Sequence, residues 1–135
     1  MDINNMSKSQ NVYGLLKEGL DASSLRSKVI ANNISNINTK GYKAYTVSFE
    51  DNLKKTIDVV ELKTTNEKHI KDDNAGSDIT VQQDLSSSMN QDGNNVDIDN
   101  EMANEAANNL MYNALVSQVN SRISLERYII KDGRG

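Results

Sequence analysis

At 135 residues the chain has the size of one ordinary domain, yet only 36% of it is hydrophobic and 4% aromatic, with one Phe and no Trp, which excludes a thick mixed core. The absence of Cys and the single His exclude a disulfide framework, a thiolate nucleophile, Cys-built zinc or iron–sulfur centres and multi-histidine metal sites. The net charge of −4 is uneven, running +2 over residues 1–50, −6 over 51–100 and 0 over 101–135, and no basic cluster interleaved with aromatics serves a nucleic acid.

Nineteen Asn and no Pro make a soluble chain that needs elongated helices or partner subunits to supply its burial. The longest apolar runs, such as Val29-Ile30-Ala31 and Tyr128-Ile129-Ile130, are too short to span a bilayer. Met1 to Ser7 lacks the basic and apolar regions of a secretory signal peptide, so any export is expected by a route that reads no such signal.

From about Ser9 to Ile34, apolar residues fall at Val12, Leu15, Leu16, Leu20, Ala22, Leu25, Val29, Ile30 and Ile34, which predicts a helix with one apolar stripe. Lys17, Glu18, Asp21, Ser24 and Lys28 take the opposite face. Gly14 and Gly19 weaken this helix, so either its early turns fray or a close helix contact needs small residues there. The helix is expected to stop near Asn36 to Asn38, because Asn32, Asn33, Asn36 and Asn38 compete for local backbone groups. Gly41 is the position that takes a left-handed conformation without steric cost. Tyr42 to Phe49 reads as extended, and Phe49, Leu53 and Ile57, four apart, as a short second helix.

Residues 58–95 give weaker signals. Val59 to Leu62 and Ile79 to Val81 suit short edge strands, while Asp72 to Asp78 and Ser86 to Gly93 have loop composition, so most of this stretch is expected to be mobile in an isolated monomer. Helical periodicity returns from Asp97 to Ile130, with Met111, Leu115, Val119 and Ile123 stepping by four and Ile130 continuing the face. Asp97 or Asp99 can cap its start, and Ala103, Ala106, Ala107 and Ala114 keep its early surface small. The expected organisation is mainly α: an N-terminal part (1–57), a polar middle (58–95) and a C-terminal helix (96–135), the two long helices packing as an antiparallel coiled pair with a small β-containing segment between.

No constellation carries catalysis. His69 has no nucleophile or second ligand at a useful spacing and reads as a loop histidine. Asp92, Asp97 and Asp99, with Gly93 and Asn95, depart from the order of a calcium loop and read as a capped turn. Gly41-Tyr42-Lys43 has too few glycines for a phosphate cradle. The helix faces carry mixed charge and few aromatics, which suits partner helices better than a membrane surface. Composition and periodicity thus arrive at a non-enzymatic, helix-mediated assembly protein with no cofactor and no small-molecule substrate.

Two blocks carry the reading further. Ala31 to Ala44, with Asn32, Asn33, Asn36, Thr39, Gly41 and Tyr42, resembles the shared N-terminal signature of the flagellar rod and hook proteins. Asp92 to Met102, with Asn95, Val96 and Asp97, followed by Asn109 and Tyr112, resembles the proximal rod type of that family, as do Thr65 and His69. Lys40 stands where the family commonly has Pro, which removes pre-set backbone geometry from the turn. The resemblance implies export through the flagellar apparatus without a cleaved signal, and assembly in the basal body rod. Other copies, neighbouring rod proteins and the membrane-ring adaptor are the implied partners. Assembly is expected through the helix faces of Leu15, Ala22, Leu25, Val29, Ile30, Met111, Leu115, Val119, Ile123 and Ile130. The alternatives are a cytoplasmic helical adaptor or chaperone-like protein binding one partner groove, or another rod type, FlgC-like.

Overall fold

The computed structural model describes residues 3–50, 79–85 and 92–132, with side chains from Val12 onward and as far as Lys131. Helix α1 spans Ile3–Ser35, strand β1 Tyr45–Ser48, strand β2 Thr80–Gln83 and helix α2 Ile98–Asp132. The chain divides into two compact units, residues 1–28 with 98–135, and residues 29–97. The expected strand Val59 to Leu62, the helix continuing through Leu53 and Ile57, the loop Asp72 to Asp78, and Thr65 and His69 lie outside the described residues.

The first unit is a pair of long helices. Helix α1 begins at Ile3, six residues ahead of the expected Ser9. Once a helix exists, each added residue gains a hydrogen bond at the cost of fixing one residue, and nothing from Ile3 to Lys8 is Gly or Pro. Helix α2 begins at Ile98, one residue after Asp97, and carries Asp99 and Glu101 in its first turn and Lys131 in its last, matching the helix dipole at both ends. Ser23 of α1 bonds Asn108 of α2 while Ser27 bonds Glu105, so the two helices run antiparallel.

The contact between these helices differs from an apolar coiled pair. Gly19, Ala22 and Ser23 are buried on α1, and Glu101 and Asn108 on α2, so this stretch joins small and polar residues. A Cβ at Gly14 would meet open space. Of the α2 stripe, Leu115, Val119 and Ile123 are half-buried, while Met111 and Ile130 are exposed. A step of four residues advances about 40° beyond a full turn, so a stripe built of such steps winds off any one face.

In the second unit α1 ends at Ser35, within a residue of the expected place, and tight turns follow. The Ile37 amide bonds the Ile34 carbonyl at 3.3 Å and the Thr39 amide the Asn36 carbonyl at 2.9 Å. Strands β1 and β2 pair antiparallel, with Tyr45 opposite Gln83, Thr46 opposite Gln82, Val47 opposite Val81 and Ser48 opposite Thr80. The predicted extended stretch Tyr42 to Phe49 thus yields a four-residue strand, and the one expected at Ile79 to Val81 lies at Thr80–Gln83. Among the described residues, Val29, Ile30, Ala44, Phe49 and Val96 are the buried apolar residues of this unit.

Ala22 is 1% exposed. Replacing it with Leu should destabilise the monomer by about 1–3 kcal/mol through overpacking, read as a lower urea midpoint in circular dichroism. An unchanged midpoint would mean that the helices can part at no cost.

Candidate functional site

The side chains that organise this protein most tightly are amides, and they lie in the two sequence blocks set apart above. Asn94 is 0% exposed. Its Nδ2 donates to the carbonyls of Asn36 at 3.0 Å, Ile37 at 2.8 Å and Thr39 at 2.9 Å, while its Oδ1 accepts from the Val96 amide at 2.7 Å. One carboxamide therefore joins three carbonyls of the turns that follow α1, two of which also accept a backbone amide, and it does so from the loop that leads into α2. Backbone bonds flank it, from the Gly41 amide to the Asp92 carbonyl at 3.1 Å and from the Asn95 amide to the Tyr42 carbonyl at 3.3 Å.

Two further asparagines take the place of missing strand neighbours. The Asp84 amide bonds the Ala44 carbonyl at 2.7 Å, extending the ladder by one rung. The return bond is relayed by Asn95, whose Oδ1 accepts from the Ala44 amide at 2.7 Å and whose Nδ2 donates to the Asp84 carbonyl at 2.9 Å. Asn33, 1% exposed on α1, donates to the Tyr45 carbonyl at 2.8 Å and accepts from the Tyr45 amide at 3.0 Å. A carboxamide offers one donor edge and one acceptor, as a peptide group does, so each amide pairs with backbone as a strand would. The Tyr42 hydroxyl also donates to Asn33 Oδ1 at 3.3 Å, and its ring meets Tyr45 edge-on at 6.2 Å.

Gly41 and Gly93 have φ of 71° and 86°, and a Cβ on Gly93 would sit 3.6 Å from the Gly41 Cα. The left-handed position expected at Gly41 is therefore present, and its partner across the clasp is a second one. Asp92 forms the capped turn expected of it, accepting from the Asn94 amide at 3.3 Å.

The structure thus brings Asn33, Asn36, Thr39, Gly41, Tyr42, Asn95 and Val96 together, and leaves Asn32 exposed. Sequence reasoning did not single out Asn94, Ser23 or Asn108, all buried. The available signal for Asn94 was its place two residues after Asp92, directly behind a glycine. Of the expected helix faces, Ala22, Val29 and Ile30 are buried, Leu25, Leu115, Val119 and Ile123 half-buried, and Leu15, Met111 and Ile130 exposed. Leu110, Leu125, Tyr128 and Ile129 of α2 are exposed as well.

Among the described residues no helix is long and apolar enough to cross a membrane, and no group of three or more His, Cys, Asp or Glu could hold a metal ion. A family profile described as flagella basal body rod protein matches residues 16–43, the C-terminal half of α1 and the turn beyond it. The flagellar basal body rod protein FlgB of Bacillus subtilis is 34% identical over 119 residues, covering 88% of this chain and 92% of its own length. The FlgB of Proteus mirabilis is 30% identical over 95% of this chain and 99% of its own, and that of Borreliella burgdorferi 36% identical over 73% and 79%. Such coverage, added to two long helices and a turn clasped by amides, defines a flagellar rod protein, a structural component. The chain belongs to the FlgB family of flagellar basal body rod proteins.

Replacing Asn94 with Asp keeps the shape but turns the donor edge into an acceptor facing three carbonyls. Asn94→Asp should cost on the order of 3–5 kcal/mol, as for other uncompensated buried charges, and more than Asn94→Ala. The Gly41 amide should lose its protection from hydrogen exchange. Gly41→Val should cost about 1–2 kcal/mol from its left-handed backbone alone, more than Lys40→Pro. Equal, mild effects of all four variants on urea unfolding would show that the clasp is ordinary loop.

Proposed function

We propose that this chain is a subunit that polymerises through its two terminal helices into the basal body rod. The apolar side chains left exposed on them would be buried against other copies and against neighbouring rod proteins. The observation that carries this is the end of α2, where Leu125, Ile129 and Ile130 stand 61%, 57% and 66% exposed on a helix of 35 residues. Apolar area removed from water is worth about 25 cal/mol per Å², so a run of such side chains supplies a large part of a subunit contact. The assembly faces are those of Leu15, Leu25, Met111, Leu115, Val119, Ile123 and Ile130, with the buried Ala22, Val29 and Ile30 supporting them from within.

In this reading the two ends, 1–57 and 96–135, form the packed layer of the rod. The acidic middle, 58–95, faces outward, where its net charge stays hydrated instead of being buried unpaired. Contact with the membrane-ring adaptor and passage through the flagellar export apparatus without a cleaved signal belong to the same proposal. The relatives reported above are all described as FlgB, which favours the proximal type over a FlgC-like one. The cytoplasmic adaptor has no observation in its favour.

Leu115 is half-buried within the monomer, so Ile129 is the cleaner probe of assembly. Ile129→Asp should leave monomer stability within about 0.5 kcal/mol, as for exposed positions generally, and abolish co-sedimentation with partner rod proteins and motility on complementation. Leu115→Asp should lower both stability and assembly. Normal assembly of Ile129→Asp would remove the end of α2 from the interface.

A further inference from the structure

The loop that closes the clasp is also chemically reactive. Asp92 is exposed and precedes Gly93, and an aspartate followed by glycine is prone to cyclise, because no Cβ on the next residue shields its amide nitrogen. None of the nineteen Asn precedes Gly, so cyclisation next to glycine falls to two aspartates, Asp92 and Asp132. Of these, Asp92 belongs to the clasp. Its carbonyl accepts from the Gly41 amide at 3.1 Å, and its Oδ1 accepts from the amide of Asn94, the residue whose carboxamide joins the two sides, at 3.3 Å.

The step needs only water and a proton. The Gly93 nitrogen bonds to Asp92 Cγ, while its hydrogen, one carboxyl oxygen and a proton from solvent leave together as water, which closes a succinimide ring. Water then adds back and opens one of the two ring C–N bonds. Opening at the side-chain carbonyl restores aspartate, whereas opening at the main-chain carbonyl gives isoaspartate, in which the chain runs through Cβ and Cγ and the former carbonyl carbon becomes a free carboxylate. Turning the carboxyl carbon onto the Gly93 nitrogen breaks its bond to the Asn94 amide, so the clasped loop resists the reaction and an open one permits it.

The product does not fit the clasp. Isoaspartate adds one methylene to the main chain ahead of Gly93 and removes the carbonyl that accepts the Gly41 amide. The Asn94 donor edge, which meets three carbonyls at 3.0, 2.8 and 2.9 Å, is then set from a longer chain, and Gly93 no longer lies against Gly41. We propose that Asp92 is a modification site, where conversion to isoaspartate opens the clasp and the closed clasp guards against the conversion. The enzyme class that recognises the product is a carboxyl methyltransferase using S-adenosylmethionine, which esterifies the freed carboxylate. On the rod reading, the modification retires subunits that remain unfolded; the chemistry itself is read on the chain alone, so its failure and that of the rod reading are separable.

The full chain is aged in warm urea at neutral pH and returned to buffer, and its proteolytic peptides are resolved by retention at unchanged mass. Asp92 and Asp132 should both convert in urea. In chain kept in buffer throughout, Asp92 should convert at least about tenfold more slowly than in urea, the kind of ratio that a local opening imposes. Chain carrying isoaspartate at position 92 should accept a labelled methyl group from S-adenosylmethionine and a purified isoaspartyl methyltransferase, and its Gly41 amide should lose its protection from hydrogen exchange. Repair by the same enzyme, in which the ester leaves as methanol when the ring closes again, should restore that protection in the fraction returned to aspartate. Asp92→Glu, whose longer side chain does not close this ring, should keep through ageing the protection of its fresh form. Equal conversion of Asp92 in buffer and in urea would overturn the proposal, as would Gly41 protection undiminished by isoaspartate at position 92. So would equal loss of protection in aged Asp92→Glu, which would assign the damage to other residues.

Discussion

One carboxamide ties the turns that follow helix α1 to the loop that precedes α2. Here three carbonyls around the unwinding turn, those of Asn36, Ile37 and Thr39, converge on the Asn94 Nδ2. A carboxylate could not donate there, and a hydroxyl has one proton for three acceptors. Because the Asn94 Oδ1 is held by the Val96 amide two residues on, the donor edge is aimed before the turn docks. Much else in the second unit follows from this alignment: Gly93 against Gly41, Asn95 set between Ala44 and Asp84, and Val96 buried.

The chain has little hydrophobic material, and it uses directional bonds where richer sequences use burial. Among the described residues the buried ones include Ser23, Asn33, Asn94, Glu101 and Asn108, a polar set comparable in number to the apolar one. A buried polar group is costly unless satisfied, and satisfied groups accept few geometries. The result is a monomer held in specific alignments by amides and hydroxyls, while many larger apolar side chains remain on its surface. That division suits a subunit whose remaining burial comes from neighbours in an assembly.

Several features were legible before any coordinates. The two long helices follow from apolar periodicity, and their inner ends, Ser35 and Ile98, fall within a residue or two of the positions read from the Asn-rich turn and from Asp97. Gly41 was legible because one residue type tolerates its backbone, and its φ is 71°. The outer end of α1 was not, because helix propagation through polar residues leaves no apolar pattern to read. The α2 row of Met111, Leu115, Val119 and Ile123 shares a spacing, and in the monomer three of the four are half-buried while Met111 is exposed.

The asparagines mark the boundary between what sequence and structure each decide. By itself the sequence pointed to a helix-rich assembly protein of uneven charge, because these depend on composition and on local periodicity, and its two motif blocks resembled the flagellar rod proteins. It could not separate Asn32, exposed, from Asn33, buried against Tyr45, nor Asn109 from Asn108. Neighbouring asparagines have the same local propensities, and only the tertiary fold decides which carboxamide meets a backbone group from across the structure and which meets water. For the same reason the Ser23–Asn108 contact was not legible: hydrophobic residues announce themselves by period, whereas a satisfied buried polar pair is visible only when both partners are in place.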